Sequence, residues 1–174
     1  MSKIVIIGSH GVGKTTLITK LKILYPNLNF IDEVARDLQL KIGKSTRDMN
    51  DQEKSKFQLE AMQTQIDQEK KYQDYLSDHC AISYLPYSIG LPVYDELKDM
   101  IRGQYLPILK QLTIIYLPIE FELENDGLRF STDEYQQFID ENLIDLMHKY
   151  RLKYITTKGS VEERLRQIAI IIDH

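Results

Sequence analysis

The chain opens on Lys3-Ile-Val-Ile-Ile7, a continuous apolar and β-branched run of the kind a strand buried on both faces requires. The run stops at Gly8. From Lys14 the apolar period changes, and Leu17, Ile18, Leu21 and Leu24 share one helical face until Pro26 and Asn27 close it. Asn29 to Ile31 predicts a short second strand, and Asp32 to Leu40 a helix. Asn50 with Glu53 forms a capping box that opens a long helix running to about Ser77. Cys80-Ala-Ile-Ser-Tyr-Leu85 predicts a third strand, broken by Pro86, and 93–109 a helical stretch interrupted around Gly103 and Pro107. Leu112 to Leu117 is the clearest strand after the first, and Pro118 ends it.

Residues 119–130 are polar and irregular, with a turn at Asn125-Asp126-Gly127. Ser131 with Glu134 predicts another capping box, behind which Tyr135, Phe138, Ile139, Leu143, Leu146, Met147 and Tyr150 keep helical spacing. Lys153 to Thr157 is a fifth strand. Gly159, Ser160 and Glu163 start a last helix, with Val161, Leu165, Ile168 and Ile172 inward. Five strands alternating with helices predict an α/β fold, a five-stranded parallel sheet with helices on both faces. With no linker, repeat or low-complexity stretch, residues 1–174 are expected to form a single domain.

Composition narrows the function classes. Hydrophobic residues make up 43% and charged residues 28%, which places the chain among globular proteins rather than disordered ones. Twenty-two basic against 26 acidic residues give a net charge of −4, which argues against whole-molecule attraction to nucleic acid or anionic lipid. The single cysteine, Cys80, excludes an internal disulfide framework and a multi-cysteine zinc site. No run approaches the ~20 apolar residues of a membrane span. The expectation is a cytoplasmic protein with no membrane partner.

Gly8-Ser9-His10-Gly11-Val12-Gly13-Lys14-Thr15 matches G-x-x-x-x-G-K-[ST] between a strand and a helix, with Thr16 next. A triphosphate needs many donors at short range, and glycines let backbone N–H groups turn inward without a Cβ in the way. The helix start adds unpaired N–H groups and a positive end. Lys14 can reach the β- and γ-phosphates, and the Thr15 hydroxyl can ligate Mg²⁺. Four fixed positions coincide by chance in about one chain in a hundred or fewer. ATP with Mg²⁺ is therefore the expected co-substrate, on a sheet of the P-loop NTPase and kinase type. No N-K-x-D guanine clamp is present, and no later strand ends in the Asp-Glu of motor and AAA+ proteins. A chain of 174 residues also leaves no room for an AAA+ lid subdomain. A small kinase or a nucleotide-binding switch remains.

Phe30-Ile-Asp-Glu-Val-Ala-Arg36 puts Asp32 and Glu33 at the carboxyl end of the second strand, the edge that carries the ligand crevice in open α/β sheets. Arg36 shares their helical face at i+3 and i+4. A kinase needs a carboxylate to orient or deprotonate the acceptor hydroxyl and a cation to hold the acceptor. An exposed helix start with an ordinary Asp–Arg pair is the competing account.

The string Gly8 to Leu17, then Ile-Asp-Glu-Val-Ala-Arg36, resembles the ATPase/kinase family related to the ribosylnicotinamide kinase domain of the bacterial NAD regulator. Tyr116-Leu-Pro-Ile-Glu120, Asn125-Asp-Gly-Leu-Arg129 and Lys158-Gly-Ser-Val-Glu-Glu-Arg164 extend the resemblance in the right order. It implies phosphoryl transfer to a nucleoside-like small molecule, with Glu33 as the family's acid, Arg36 as its substrate arginine and Arg129 as a lid arginine. It also implies that Lys158, Gly159 and Ser160 border the adenine.

Related kinases often end the third strand with Asp-Arg-Ser beside the phosphate loop. Aligned on Pro86, this chain carries Ser83 and Tyr84 there, and Asp78 falls at the amino end of the predicted strand. Asp32 is then the acid left to serve the metal, and a non-catalytic ATP-binding regulator becomes a rival reading. Residues 36–56 carry a net charge of +2 from six basic and four acidic residues, either a solvated helix pair or a track for a nucleic-acid acceptor, which is not favoured. Tyr84 and Tyr87 are candidates to stack on a base, whereas Tyr72 and Tyr75 are expected in packing.

Overall fold

The computed structural model describes residues 3–121 and 132–173. Strands β1 (Lys3–Ile7), β2 (Phe30–Ile31), β3 (Tyr75–Asp78), β4 (Thr113–Tyr116) and β5 (Tyr154–Thr156) form one sheet in the order β2-β3-β1-β4-β5. Every pairing is parallel. β1 lies at the centre and is apolar and buried from Ile4 to Ile7 because both its faces are covered there. Ile4 and Ile6 pack with residues of α1 (Lys14–Leu24) and α7 (Val161–Asp173). Val5 and Ile7 join the larger core on the opposite face, beneath α2 (Val34–Ile42), α3 (Asp51–Lys71) and α6 (Asp133–Lys149).

The caps read from the sequence are largely present. Asn50 accepts from the Gln52 and Glu53 N–H groups while Glu53 accepts from Asn50 N–H, closing the capping box of α3. Ser160 and Glu163 form the reciprocal pair that starts α7. For α6 the cap moves on by one residue: Thr132 accepts from Tyr135 N–H, and Ser131 lies outside the described residues. The helix predicted over 93–109 is not broken. α4 (Tyr94–Met100) runs through a π-helical turn at Ile101–Tyr105 into α5 (Leu106–Leu109). Pro107 has no N–H to return to the preceding turn, and the wider π turn absorbs that loss without ending the helix.

The third strand requires a correction. It is Tyr75–Asp78, and the preceding helix stops at Lys71 rather than near Ser77. Tyr75-Leu-Ser-Asp is short and half polar, yet it is buried and gains main-chain partners on both sides, from β1 and β2. The more apolar stretch after it forms 3₁₀ turns at Ala81–Tyr84 and Pro86–Ser88. Its apolar residues reflect burial against α3, not strand pairing. This shift moves Asp78 from the amino end of a strand to the carboxyl end, where it stands opposite Ile6 in register with β1.

Candidate active site

The phosphate loop begins directly after β1 and turns on glycines that take conformations L side chains avoid. Gly8, Gly11 and Gly13 have φ of 154°, 78° and 88°. A Cβ on Gly8 would lie 2.5 Å from the Leu117 carbonyl oxygen, so only glycine lets the loop pass β4 this closely. Lys14 is not solvent-facing as its role would lead one to expect: it is 5% exposed and donates to the carbonyls of Gly8 at 3.1 Å and Ser9 at 2.7 Å. The ammonium thus spans the mouth of its own loop. The loop is also held from outside, because Gln136 of α6 donates to His10 O at 2.6 Å and Arg164 of α7 donates to Val12 O at 2.8 Å.

Thr15 Oγ donates to the Asp78 carboxylate at 3.3 Å. A hydroxyl and a buried carboxylate side by side at the end of β1 and β3 are the hard oxygen donors that suit Mg²⁺. The acid sought at position 83 therefore stands at position 78, and Ser83 is a buried hydroxyl within 3.8 Å of Cys80 Sγ. His79 follows with φ of 93°, a strained value for a non-glycine residue. Its N–H donates to Ile6 O at 3.1 Å, and its carbonyl accepts from Gln65 Nε2 at 3.5 Å.

Behind this tip lies a buried polar network that the sequence did not announce. Glu69 is fully buried in α3 and accepts from the hydroxyls of Tyr75 at 2.8 Å and Tyr105 at 2.6 Å, and from Gln65 Nε2 at 2.9 Å. Burial raises its pKa, and the donors around it pull in the opposite direction. The same surroundings push the Cys80 thiol up to about 12, chiefly by burial, so it is not a nucleophile.

A cavity of about 630 Å³ opens from the phosphate loop. Its walls near the loop include His10, Glu33, His79, Tyr84, Tyr87 and Tyr135. Glu33 is 7% exposed, whereas Asp32 turns to solvent and pairs with Lys22 at 2.5 Å and 2.7 Å. The metal and catalytic roles expected of Asp32 are thus corrected: it is a surface partner of α1, outside the cavity. Arg36 is half-buried and does not line the cavity either; Arg47, from the turn between α2 and α3, does. The rings of His10 and Tyr135 have centroids 5.8 Å apart, and His10 Nδ1 lies 3.4 Å from the Tyr87 hydroxyl.

On the opposite side of the loop, Lys158, Gly159 and Ser160 follow β5, and Gly159 N–H donates to Glu120 Oε2 at 2.8 Å. Arg129 lies outside the described residues.

The sequence profile of the AAA domain family AAA_28 matches residues 3–164. The chain belongs to this AAA family. The argument that set AAA-type proteins aside is corrected on one point: the acid at the end of a buried strand exists, as Asp78, but was hidden by reading 71–77 as helix. It is followed by His79 rather than by Glu. No curated protein matches the sequence.

Solved structures resemble this AAA-family domain closely in fold and distantly in sequence. A deoxyadenosine kinase from M. mycoides, with products dCMP and a flexible dCDP bound, is 15% identical at a TM-score of 0.71, over 98% of both chains. NadR protein in complex with NR is 21% identical at a TM-score of 0.76, over 99% of this chain and 51% of that one. NadR in complex with NAD and AMP-PNP is 19% identical at 0.75, over 98% and 48%. The domain therefore has a nucleoside-kinase-like P-loop fold and spans about half the length of NadR. Among the described residues no helix is long and apolar enough to cross a membrane.

Proposed function

We propose that the protein is an Mg-ATP-dependent kinase that transfers the γ-phosphoryl group of ATP to a hydroxyl of a nucleoside-like small molecule. One observation carries this reading: a single cavity joins the phosphate loop to a buried carboxylate and a set of aromatic walls. Pyrophosphate-level binding alone would need no such chamber beyond the loop. Tyr84, Tyr87, Tyr135 and Phe57 offer flat faces to a base. Gln58, also in the wall, has a buried Oε1 with no partner among the described residues, an acceptor for the edge of a base.

In the transfer, the acceptor oxygen attacks the γ-phosphorus as the bond to the β–γ bridging oxygen breaks, and ADP leaves. Glu33 orients the acceptor hydroxyl and takes its proton. Lys14 shifts from its own loop carbonyls to the β- and γ-phosphate oxygens. Thr15 and Asp78 would hold Mg²⁺, which when bound would neutralise charge on the phosphate oxygens. Lys158 to Ser160 border the adenine.

Two rivals are less well supported. The regulator reading rests on an acid and an arginine missing at Ser83 and Tyr84; Asp78 beside Thr15 offers an acid, while His79 follows it where an arginine would stand. The nucleic-acid reading rests on the basic 36–56 segment, of which Arg47 and Lys54 line the cavity. ATP consumption measured with and without a nucleoside panel tests the proposal. A nucleoside that stimulates ADP release and is itself phosphorylated supports it; ATP binding with no acceptor-dependent turnover across the panel refutes it.

A further inference from the structure

Arg164 has no part in that transfer, yet it is the largest fully buried side chain among the described residues, at 1% exposed. It lies on the first turn of α7; both Nη atoms of its guanidinium donate, while the buried Nε has no partner among the described residues. Nη1 donates to the Val12 carbonyl in the phosphate loop at 2.8 Å, and Nη2 donates to Glu120 Oε2 at 2.6 Å. The Phe121 ring stands 4.7 Å from the guanidinium carbon. Glu120 is held below its ordinary carboxylate range by Arg164 and then by the Gly159 N–H, which donates to the same Oε2. A chain of contacts thus runs from the loop after β5, through Glu120 and Arg164, to the phosphate loop.

A buried arginine is costly unless paired, and here the pairing partner, Glu120, is 29% exposed and could be reached by a shorter cation from the surface. What only a buried fork can do is hold Glu120 and the Val12 carbonyl together. The Val12–Gly13 peptide is trans, as all peptides of the described chain are. In a trans peptide the C=O and the following N–H point in opposite directions. Fixing the Val12 carbonyl toward α7 therefore aims Gly13 N–H away from α7, to the open side of the loop. Gly13, at φ of 88°, has no Cβ to resist a peptide flip, so its orientation needs an outside restraint.

We propose that Arg164 is a positioning residue that aims the Gly13 N–H at the phosphates of the nucleotide by holding the Val12 carbonyl, with Glu120 and Gly159 as its anchor. The inference rests on the ATP-binding reading above and deepens it. Its decisive consequence is that a ligand with phosphates and no base should feel the loss as much as ATP does.

The experiment is calorimetric titration of Mg-ATP and of Mg-tripolyphosphate into wild type, Arg164→Lys and Glu120→Gln. Lysine keeps the charge but carries its donors on a single nitrogen, so it lacks the two separated nitrogens with which the guanidinium reaches Val12 O and Glu120 Oε2. Affinity for both ligands should fall about tenfold or more in Arg164→Lys, the loss expected for a disrupted hydrogen bond to a charged ligand. Glu120→Gln, on a part-exposed side chain, should move both in the same direction by a smaller factor, and it decides the matter if Arg164→Lys does not fold. Loss for ATP alone would show that Arg164 props only the base-side loop, and unchanged affinity in folded variants would show that it serves stability only. Either result overturns the inference. Wild type that binds neither ligand would instead overturn the reading of the phosphate loop itself.

Discussion

Asp78→Asn removes one charge from the metal side of the site and almost nothing else. Asn has the same size, keeps an oxygen for the Thr15 hydroxyl at 3.3 Å, and leaves the register of β3 against β1 untouched. Asp78 is 2% exposed, so its carboxylate acts in surroundings where water does little to screen it. A hydrogen bond to an ionised group contributes roughly 1.5–3 kcal/mol where a neutral one contributes about 1. The difference of about 0.5–2 kcal/mol means that holding a metal-bound water with Asn instead of Asp should raise the Mg²⁺ midpoint for ATP binding by about two- to thirtyfold. ATP binding without metal should change little. The assay is calorimetric ATP titration over a series of Mg²⁺ concentrations, with Asp32→Asn as comparison because Asp32 faces solvent and pairs with Lys22. An unchanged midpoint in Asp78→Asn, or a larger shift in Asp32→Asn, would refute the placement of the metal.

Glu33→Gln should lower kcat by about 10²–10⁴-fold with ATP affinity intact, and Arg47→Ala, not Arg36→Ala, should raise the acceptor KM; steady-state kinetics on both substrates checks this. Lys14→Ala should abolish measurable ATP affinity and also lower Tm, because it strips the donor from the carbonyls of Gly8 and Ser9; a thermal scan with unchanged Tm would contradict the buried position. Glu69 has a folded pKa raised by burial, so the folded state holds its proton more tightly than the unfolded chain. That contribution is complete below the ordinary carboxylate range and is lost as pH rises through the raised folded pKa, so wild type should lose stability relative to Glu69→Gln as pH rises above the ordinary carboxylate range. Parallel Tm curves for the two proteins would rule this out.

The elements that were legible in the sequence are those with a local cause. β1 reads from its unbroken apolar run, and α3 and α7 from capping boxes that the structure closes atom by atom. β3 was not legible, because its pairing with β1 and β2 is a tertiary fact and its own residues, two of them polar, carry little strand signal. That one displaced strand accounts for most of the errors in the site. It hid Asp78, put Ser83 and Tyr84 where an acid and an arginine were sought, and left Asp32 as the acid to serve the metal. A signal was available: a strand beside β1 should end level with Gly8, and an Asp at such an end stands where a metal acid is sought. Tyr84 and Tyr87, singled out from Tyr75 in the sequence, lie in the cavity wall, while Tyr75 and the unassigned Tyr105 turn to Glu69.

The same distinction separates the phosphate loop from what holds it. Its identity is written in eight consecutive residues, but its shape is imposed by side chains from helices late in the chain. Gln136 takes the His10 carbonyl and Arg164 the Val12 carbonyl, each from outside the loop. A peptide whose carbonyl is drawn outward directs its next N–H the other way, so these two contacts bias Gly11 and Gly13 to present donors inward. Asp140, next to Gln136 on α6, adds to this: burial raises its pKa, while the Tyr116 hydroxyl, Ser9 N–H and the Lys14 charge lower it. A loop of glycines free to turn either way would have to be ordered by the nucleotide, and that entropy would come out of binding. Here the ordering is done when α6 and α7 dock on the sheet. Gln136 is 2% exposed and Arg164 is 1% exposed, so both lie within the packed layers and cannot release the loop without opening the fold. The polar residues buried in α6 and α7, which no hydrophobic pattern picks out, are therefore what turns a flexible sequence motif into a preformed anion site.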